Sequence, residues 1–191
     1  MTVLDKAIIY ATEAHSGALR KSSTTPYIVH PIEVASIAAR MTDDLEVIAA
    51  AVLHDVIEDT PTTVEQLKAE FGNKIAKLVG SDSEDKREDR PAAETWEIRK
   101  RETMDAIPKA SKDEQIIILA DKLSNLRSIY HDYTQIGDEI WNRFNVKEKS
   151  KHEWYYSGVA ERLNKVNETN AFKEYVELLF KVFGWKIPKN N

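Results

Sequence analysis

The sequence predicts an all-α protein, folded as one multi-helix domain. Glycine is scarce, six in 191 residues, whereas Ala, Leu, Glu and Lys, which lose little freedom in a helix, are abundant. Apolar residues recur three and four apart in segment after segment, the spacing of one helix face. No succession of alternating strands, internal repeat or low-complexity tract interrupts them. A chain of 191 residues suits one domain of ordinary size with a substantial core.

“TVLDKAIIYATEAHSG” reads as the first helix, with Leu4, Ala7, Ile8 and Ala11 as its apolar stripe and Gly17 as its stop. “KSSTTP” is a loop. Pro31 suits the first turn of a second helix through “IEVASIAARM”, where the missing N–H has no helical partner to lose. “TDDLEVIAAAVLHDVIED” is expected as one continuous third helix, capped by Thr or Asp and ended near Thr60 and Pro61. “TVEQLKAEFG” runs to a glycine stop, and “NKIAKLVG” continues as another short helix. “SDSEDKREDRPAAE” is charged and weakly periodic, a surface loop from Ser81 to about Glu94. Helix returns in “TWEIRKRETMDAIPK”, followed by a nearly continuous apolar core helix in “SKDEQIIILADKLSNLRSIYHDY”. Residues 137–166 add one or two helices and “NAFKEYVELLFKVFG” an amphipathic last one, eight or more in all.

Composition narrows the chemistry. With no cysteine, disulfides and thiolate metal sites are excluded, so any transition metal is held by His, Asp and Glu. No apolar run approaches the roughly 20 residues that span a bilayer, and the N-terminus lacks a signal-peptide pattern. A soluble, cytoplasmic protein without a membrane partner is expected. The net charge of −5 argues against wholesale nucleic-acid binding and leaves room for a small phosphorylated ligand in a local basic pocket.

One segment does not fit a purely structural helix. “VLHDVIEDT” ends an apolar run in His54, Asp55, Glu58 and Asp59. At helical spacing all four side chains project around one end, while Val52, Leu53, Val56 and Ile57 face a core. A solvated last turn is the plain alternative, but acids there oppose the helix dipole. Two further polar residues lie in apolar helices: His30, directly before the helix started by Pro31, and Asp121 in “IIILADKLSNL”. Each has a structural reading alone, a satisfied core histidine or a salt bridge to Lys122. Together His30, His54, Asp55 and Asp121 form a His₂Asp₂ set suited to Mn²⁺ or Fe²⁺, or to a catalytic Zn²⁺. Glu58 and Asp59, left uncommitted, are placed to orient or deprotonate a water.

With these residues the chain resembles the HD-domain metal-dependent phosphohydrolases. More narrowly, “AHSGALRKSSTTPYIVHPIEVA”, “AAAVLHDVIEDT” and “ILADKLSNLR” resemble the hydrolase domain of the RelA/SpoT family, across nearly the whole chain. The resemblance implies Mn²⁺-dependent removal of the 3′-pyrophosphate from guanosine tetra- and pentaphosphate, leaving GDP or GTP. It implies His30, His54, Asp55 and Asp121 as metal ligands and Glu58 and Asp59 as the catalytic acids. It also implies Arg20 and Lys21 on the base side, Asn125 as a nucleoside contact, and Arg99, Lys100 and Arg101 near the phosphates. For Trp141 to Tyr156, core packing is expected rather than base stacking. The chain departs from the family at Ala18, where Gln is frequent, and in “VGSDSEDK”, where the family has a Thr-rich segment. No synthetase domain follows, so a stand-alone small alarmone hydrolase is expected. Its oligomeric state is not legible. Two other readings stand beside this one: a phosphohydrolase of another nucleotide (an adenosine alarmone, the 2′-phosphate of NADPH, a simple nucleotide), and a non-catalytic, metal-stabilised sensor module.

Overall fold

A computed structural model describes residues 1–21, 23–82, 87 and 89–187. Among them the chain forms α1 (Val3–Ala14), α2 (Val29–Ala38), α3 (Leu45–Leu53), α4 (Val56–Asp59), α5 (Val64–Asp82), α6 (Ala92–Ala106), α7 (Lys112–Ile136), α8 (Lys149–Arg162) and α9 (Asn170–Phe183). Short 3-10 turns occupy Ile107–Lys109 and Gly137–Arg143. One isolated antiparallel bridge, Leu19 with Pro26, is the extent of β structure among the described residues. No helix of these residues is long and apolar enough to cross a membrane.

Helix starts follow the side chains. Thr2 with Asp5 and Ser111 with Glu114 close reciprocal capping boxes on α1 and α7, satisfying N–H groups that a first turn leaves unpaired. Asp44 caps α3 by accepting from the Glu46 amide. A helix apolar on every side needs cover on every side, and α3, buried throughout Val47 to Leu53, is walled by α1, α2, α5 and α7. α7 packs in turn on α2 and α9. Fully buried Leu53, Leu119 and Leu123 each contribute about 1.5–3 kcal/mol to this core. α5 breaks at Gly72, whose φ of 86° only glycine adopts freely, which separates the two expected helices.

Three expectations need correction. α2 begins at Val29 rather than Pro31, so His30 lies within its first turn. The expected third helix is interrupted at His54 and Asp55, where α3 gives way to α4. There His54 Nδ1 donates to the Ala51 carbonyl at 2.9 Å, an acceptor that an uninterrupted helix offers to the Asp55 amide. The expected loop at 81–94 is shorter: α5 runs to Asp82 and α6 begins directly after Pro91, because buried Thr95 and Trp96 dock its first turns. Ser83 to Lys86 and Glu88 of that loop lie outside the described residues.

Candidate active site

Three helices meet at one cluster. α2 brings His30, the turn between α3 and α4 brings His54 and Asp55, and α7 brings Asp121. Ligand atoms of His30, His54 and Asp121, all buried, lie within 4.8 Å of one another. His30 Nε2 is 3.1 Å from Asp121 Oδ1 and 3.6 Å from Asp55 Oδ2. His54 Nε2 is 2.9 Å from Asp55 Oδ2 and 3.7 Å from Asp121 Oδ1. Tyr27 donates its hydroxyl to the same Asp55 oxygen at 2.5 Å.

The tautomers of both imidazoles follow from their outer nitrogens. Ser124 Oγ gives its one proton to Glu33 Oε2 at 2.8 Å. It therefore accepts from His30 Nδ1 at 2.9 Å, which leaves the His30 Nε2 lone pair facing the cluster. His54 is set in the same way by the Ala51 carbonyl. Arg127 holds Glu33 at 2.9 Å while its other nitrogens grip Glu174 of α9 at 2.6 and 2.8 Å. Such outer partners orient metal ligands and raise their basicity.

Burial pushes the His54 imidazole towards neutrality, but the Asp55 and Asp121 carboxylates outweigh it and hold its pKa well above the ordinary value. Burial likewise opposes ionisation of both carboxyls. The His54 charge nevertheless holds Asp55 well below the usual range, and Lys122 foremost does so for Asp121. Tyr27 is pushed up by burial and by Asp55, so its phenol stays a donor. Even so, His54 Nε2, buried 2.9 Å from Asp55 Oδ2 and 3.7 Å from Asp121 Oδ1, has no well-aligned hydrogen bond among the described residues. His30 Nε2, the orphaned His54 Nε2 and two carboxylates fit a divalent cation, which competes with a proton for His54 Nε2.

α4 sets Glu58, half-buried, and Asp59, exposed, one turn beyond His54 and Asp55. The Asp59 amide reaches the Asp55 carbonyl at 2.9 Å, which keeps α4 in helical register with that residue. The charge of Asp59 acts on His15 and Tyr27, both neighbours of the cluster.

Beside the cluster opens a cavity of about 590 Å³, lined by Arg20, Lys21, His30, Ser124, Asn125 and Tyr156 among others. The loop carrying Arg20 and Lys21 is pinned by backbone bonds from Arg20 N to Thr25 O and from Tyr27 N to Ala18 O, both 2.9 Å. Arg20 Nη2 donates to Asn125 Oδ1 at 3.0 Å, and Asn125 Nδ2 donates to Asp121 Oδ1 at 2.6 Å. The basic loop is thus tied to the cluster through one amide. Lys21 Nζ reaches Asn145 Oδ1 at 3.4 Å and lies 5.6 Å over the Phe144 ring.

The three basic residues of α6 diverge. Lys100 lies 5.0 Å over the Tyr155 ring, which it shares with Lys122 at 5.9 Å. Arg99 turns back along its own helix to Thr95 Oγ1 at 3.3 Å. Arg101 pairs with Glu97 at 3.3 Å on an exposed face. None of the three lines the cavity. Trp141 and Tyr155 are buried in the core, in keeping with their expected packing, whereas Phe144 and Tyr156 also line the cavity.

Sequence reasoning missed several neighbours. Lys122, seen as an ion-pair partner of Asp121, is indeed bonded to it at 2.5 Å, but it also brings a cation to the cluster. Tyr27, three residues before His30 in “PYIVHP”, carried a readable signal. Ser124, three residues after Asp121, did so only for a reader asking what holds the second nitrogen of His30. Buried His15, its ring 4.8 Å from that of Tyr27, had none.

Comparison with known proteins identifies the family and the fold. Residues 7–147 match the family model of the HD domain. The chain is 35% identical over 189 residues to a guanosine-3′,5′-bis(diphosphate) 3′-pyrophosphohydrolase, MESH1, of Danio rerio, covering 97% of this chain and 96% of that one. It is 40% identical over 131 residues to the bifunctional (p)ppGpp synthase/hydrolase SpoT of Escherichia coli, covering 66% of this chain and 18% of that longer protein. A solved structure described as a metazoan ortholog of SpoT that hydrolyses ppGpp superposes with a TM-score of 0.73 at 26% identity, over 95% of both chains.

Proposed function

This chain belongs to the HD-domain family of hydrolases, and from that premise we propose that it is a divalent-metal 3′-pyrophosphohydrolase of guanosine 3′,5′-bis(diphosphate) and its pentaphosphate counterpart. The observation that carries the reading is the convergence of the His30 and His54 imidazoles with Asp55 and Asp121, beside a cavity whose wall includes His30, Arg20 and Lys21.

His30, His54, Asp55 and Asp121 would hold the cation; their nitrogen and oxygen donors suit Mn²⁺, Fe²⁺ or a catalytic Zn²⁺, and Mn²⁺ is put first because the resemblance to the RelA/SpoT hydrolase domain implies it. Such a cation neutralises phosphoryl oxygens and makes water easier to deprotonate. Glu58, with Asp59 beside it, accepts the proton of the attacking water. The water oxygen bonds to the phosphorus on O3′, the P–O3′ bond breaks, O3′ regains a proton and pyrophosphate departs. Lys122 and Lys100 hold the pyrophosphate, and Arg20 and Lys21 hold the nucleoside, whose ribose side meets Asn125.

The test is a nucleotide panel with Mn²⁺, the products separated by ion-exchange chromatography. Guanosine 3′,5′-bis(diphosphate) should give GDP and pyrophosphate in equal amounts. Release of orthophosphate, or turnover confined to NADPH or an adenosine analogue, would overturn the assignment.

A further inference from the structure

Asp121, Asn125, Ser128 and Asp132 follow one another at i, i+4, i+7 and i+11, which puts them on a single stripe of α7. The stripe starts in the imidazole–carboxylate cluster, passes the Arg20–Asn125 bond and ends at Asp132. Its last three members all line the cavity. Asp132 stands ~16 Å along the helix axis from Asp121, a reach comparable to a ribose 3′-diphosphate and its base laid end to end.

At that far end Arg143, from the 3-10 turn, donates to Asp132 Oδ2 at 2.6 Å. Both are cavity-lining, with side chains 37% and 39% exposed. An exposed ion pair adds little to stability, so stability does not explain placing this one in the cavity wall. Apolar Ile140 and Phe144 adjoin it in the same wall, as flat-faced base binding requires. Asp132 Oδ2 is anchored to Arg143, so a carboxylate that only accepts is held in a fixed orientation. Guanine offers adjacent N1–H and N2–H donors that suit such a group. Adenine presents an acceptor at N1, which a carboxylate repels. Arg143 adds donors where guanine carries O6.

We propose that Asp132, positioned by Arg143, determines base specificity by accepting hydrogen bonds from the N1–H and N2–H groups of guanine. This deepens the hydrolase reading above and rests on it for the orientation of the nucleotide.

The experiment compares the Mn²⁺-loaded full chain with Asp132→Asn, titrating GDP, IDP and ADP by calorimetry and measuring turnover of guanosine and adenosine 3′,5′-bis(diphosphate). The variant should lose about 5–150-fold in GDP affinity, the range of one bidentate base contact, with ADP affinity raised, because the amide no longer repels adenine N1, and metal content unchanged. IDP, lacking the N2 amine, should fall between the two in the wild type. A variant that keeps the wild-type ratio of GDP to ADP affinity overturns the proposal. Preference for GDP through Asp132 without hydrolysis of the guanosine bis(diphosphate) would sink the hydrolase reading and support this one. Equal turnover of both bis(diphosphates) by both proteins would support the hydrolase and overturn the role of Asp132.

Discussion

His54 and His152 are shielded from water to nearly the same degree, 2% and 4% exposed, yet they hold their protons in opposite ways. His152 lies among Trp96, Trp141 and Phe144, with ring centroids 5.6, 5.0 and 4.8 Å away. Its Nε2 donates to the Val146 carbonyl at 2.7 Å. Burial dominates there, and its pKa falls below the ordinary value. His54 faces two carboxylates instead, which reverse the same burial effect. Burial therefore does not mark a functional histidine. Converging carboxylates do, because they make the buried site hospitable to a positive charge, whether proton or metal.

The largest break in this contrast comes from removing ligands. His54→Ala or Asp55→Ala should abolish metal binding and nearly all turnover, beyond the about 10–100-fold cost of losing an outer partner. His152→Phe should leave metal content intact, as read by elemental analysis. Full metal occupancy in both ligand variants would refute the metal centre.

Glu58→Gln separates chemistry from binding on the same side of the comparison. The amide keeps the shape but cannot accept a proton, so kcat should fall about 10²–10⁴-fold while metal affinity holds. Loss of metal in this variant would instead make Glu58 a ligand.

Ser124→Ala removes the acceptor that fixes the His30 tautomer. Metal affinity, measured by competition with a chelator, should drop about 10–100-fold, and Ser124→Thr should recover most of it. An unchanged affinity in the alanine variant would show that Ser124 is packing alone.

The pH dependence should carry opposite signs at the two histidines. In metal-free protein the raised His54 pKa contributes stability that is complete below the ordinary imidazole value of 6.5 and is lost as pH rises through the folded value. The lowered Asp55 and Asp121 values contribute stability present above the ordinary carboxylate value of 3.8, lost as pH falls through their folded values. Metal must displace the His54 proton, so the rise in Tm on adding Mn²⁺ should grow as pH climbs above 6.5 and through the raised folded value of His54. A pH-independent rise would remove His54 Nε2 from the ligand set.

The smallest effect belongs to the aromatic region. His152→Phe leaves the Val146 carbonyl unpaired and should cost about 1–3 kcal/mol in a denaturation experiment. Because the folded His152 value is lowered, the unfolded chain takes up its proton first and stability falls as pH drops through 6.5. The variant should lose that part of the acid sensitivity.

The sequence by itself determined what depends on neighbours within a few residues. Helical periodicity placed most elements, the glycine at 72 marked a break, and “HDVIEDT” announced polar chemistry at the end of an apolar helix. These are legible because propensity, capping and face arithmetic act over a single turn. Tertiary structure decided the rest. Interrupting the expected helix at His54 joins a local event, the imidazole competing for the Ala51 carbonyl, to a distant one, the Asp121 carboxylate brought by α7. Bringing His30 to within 3.1 Å of Asp121 needed α2 packed against α7. Turning Lys100 towards Tyr155 while Arg99 folds back along α6 needed α8 in place. His30 with Asp121 and Lys100 with Tyr155 join residues far apart in the chain, and burying α3 on all sides is what presses α2 and α7 together.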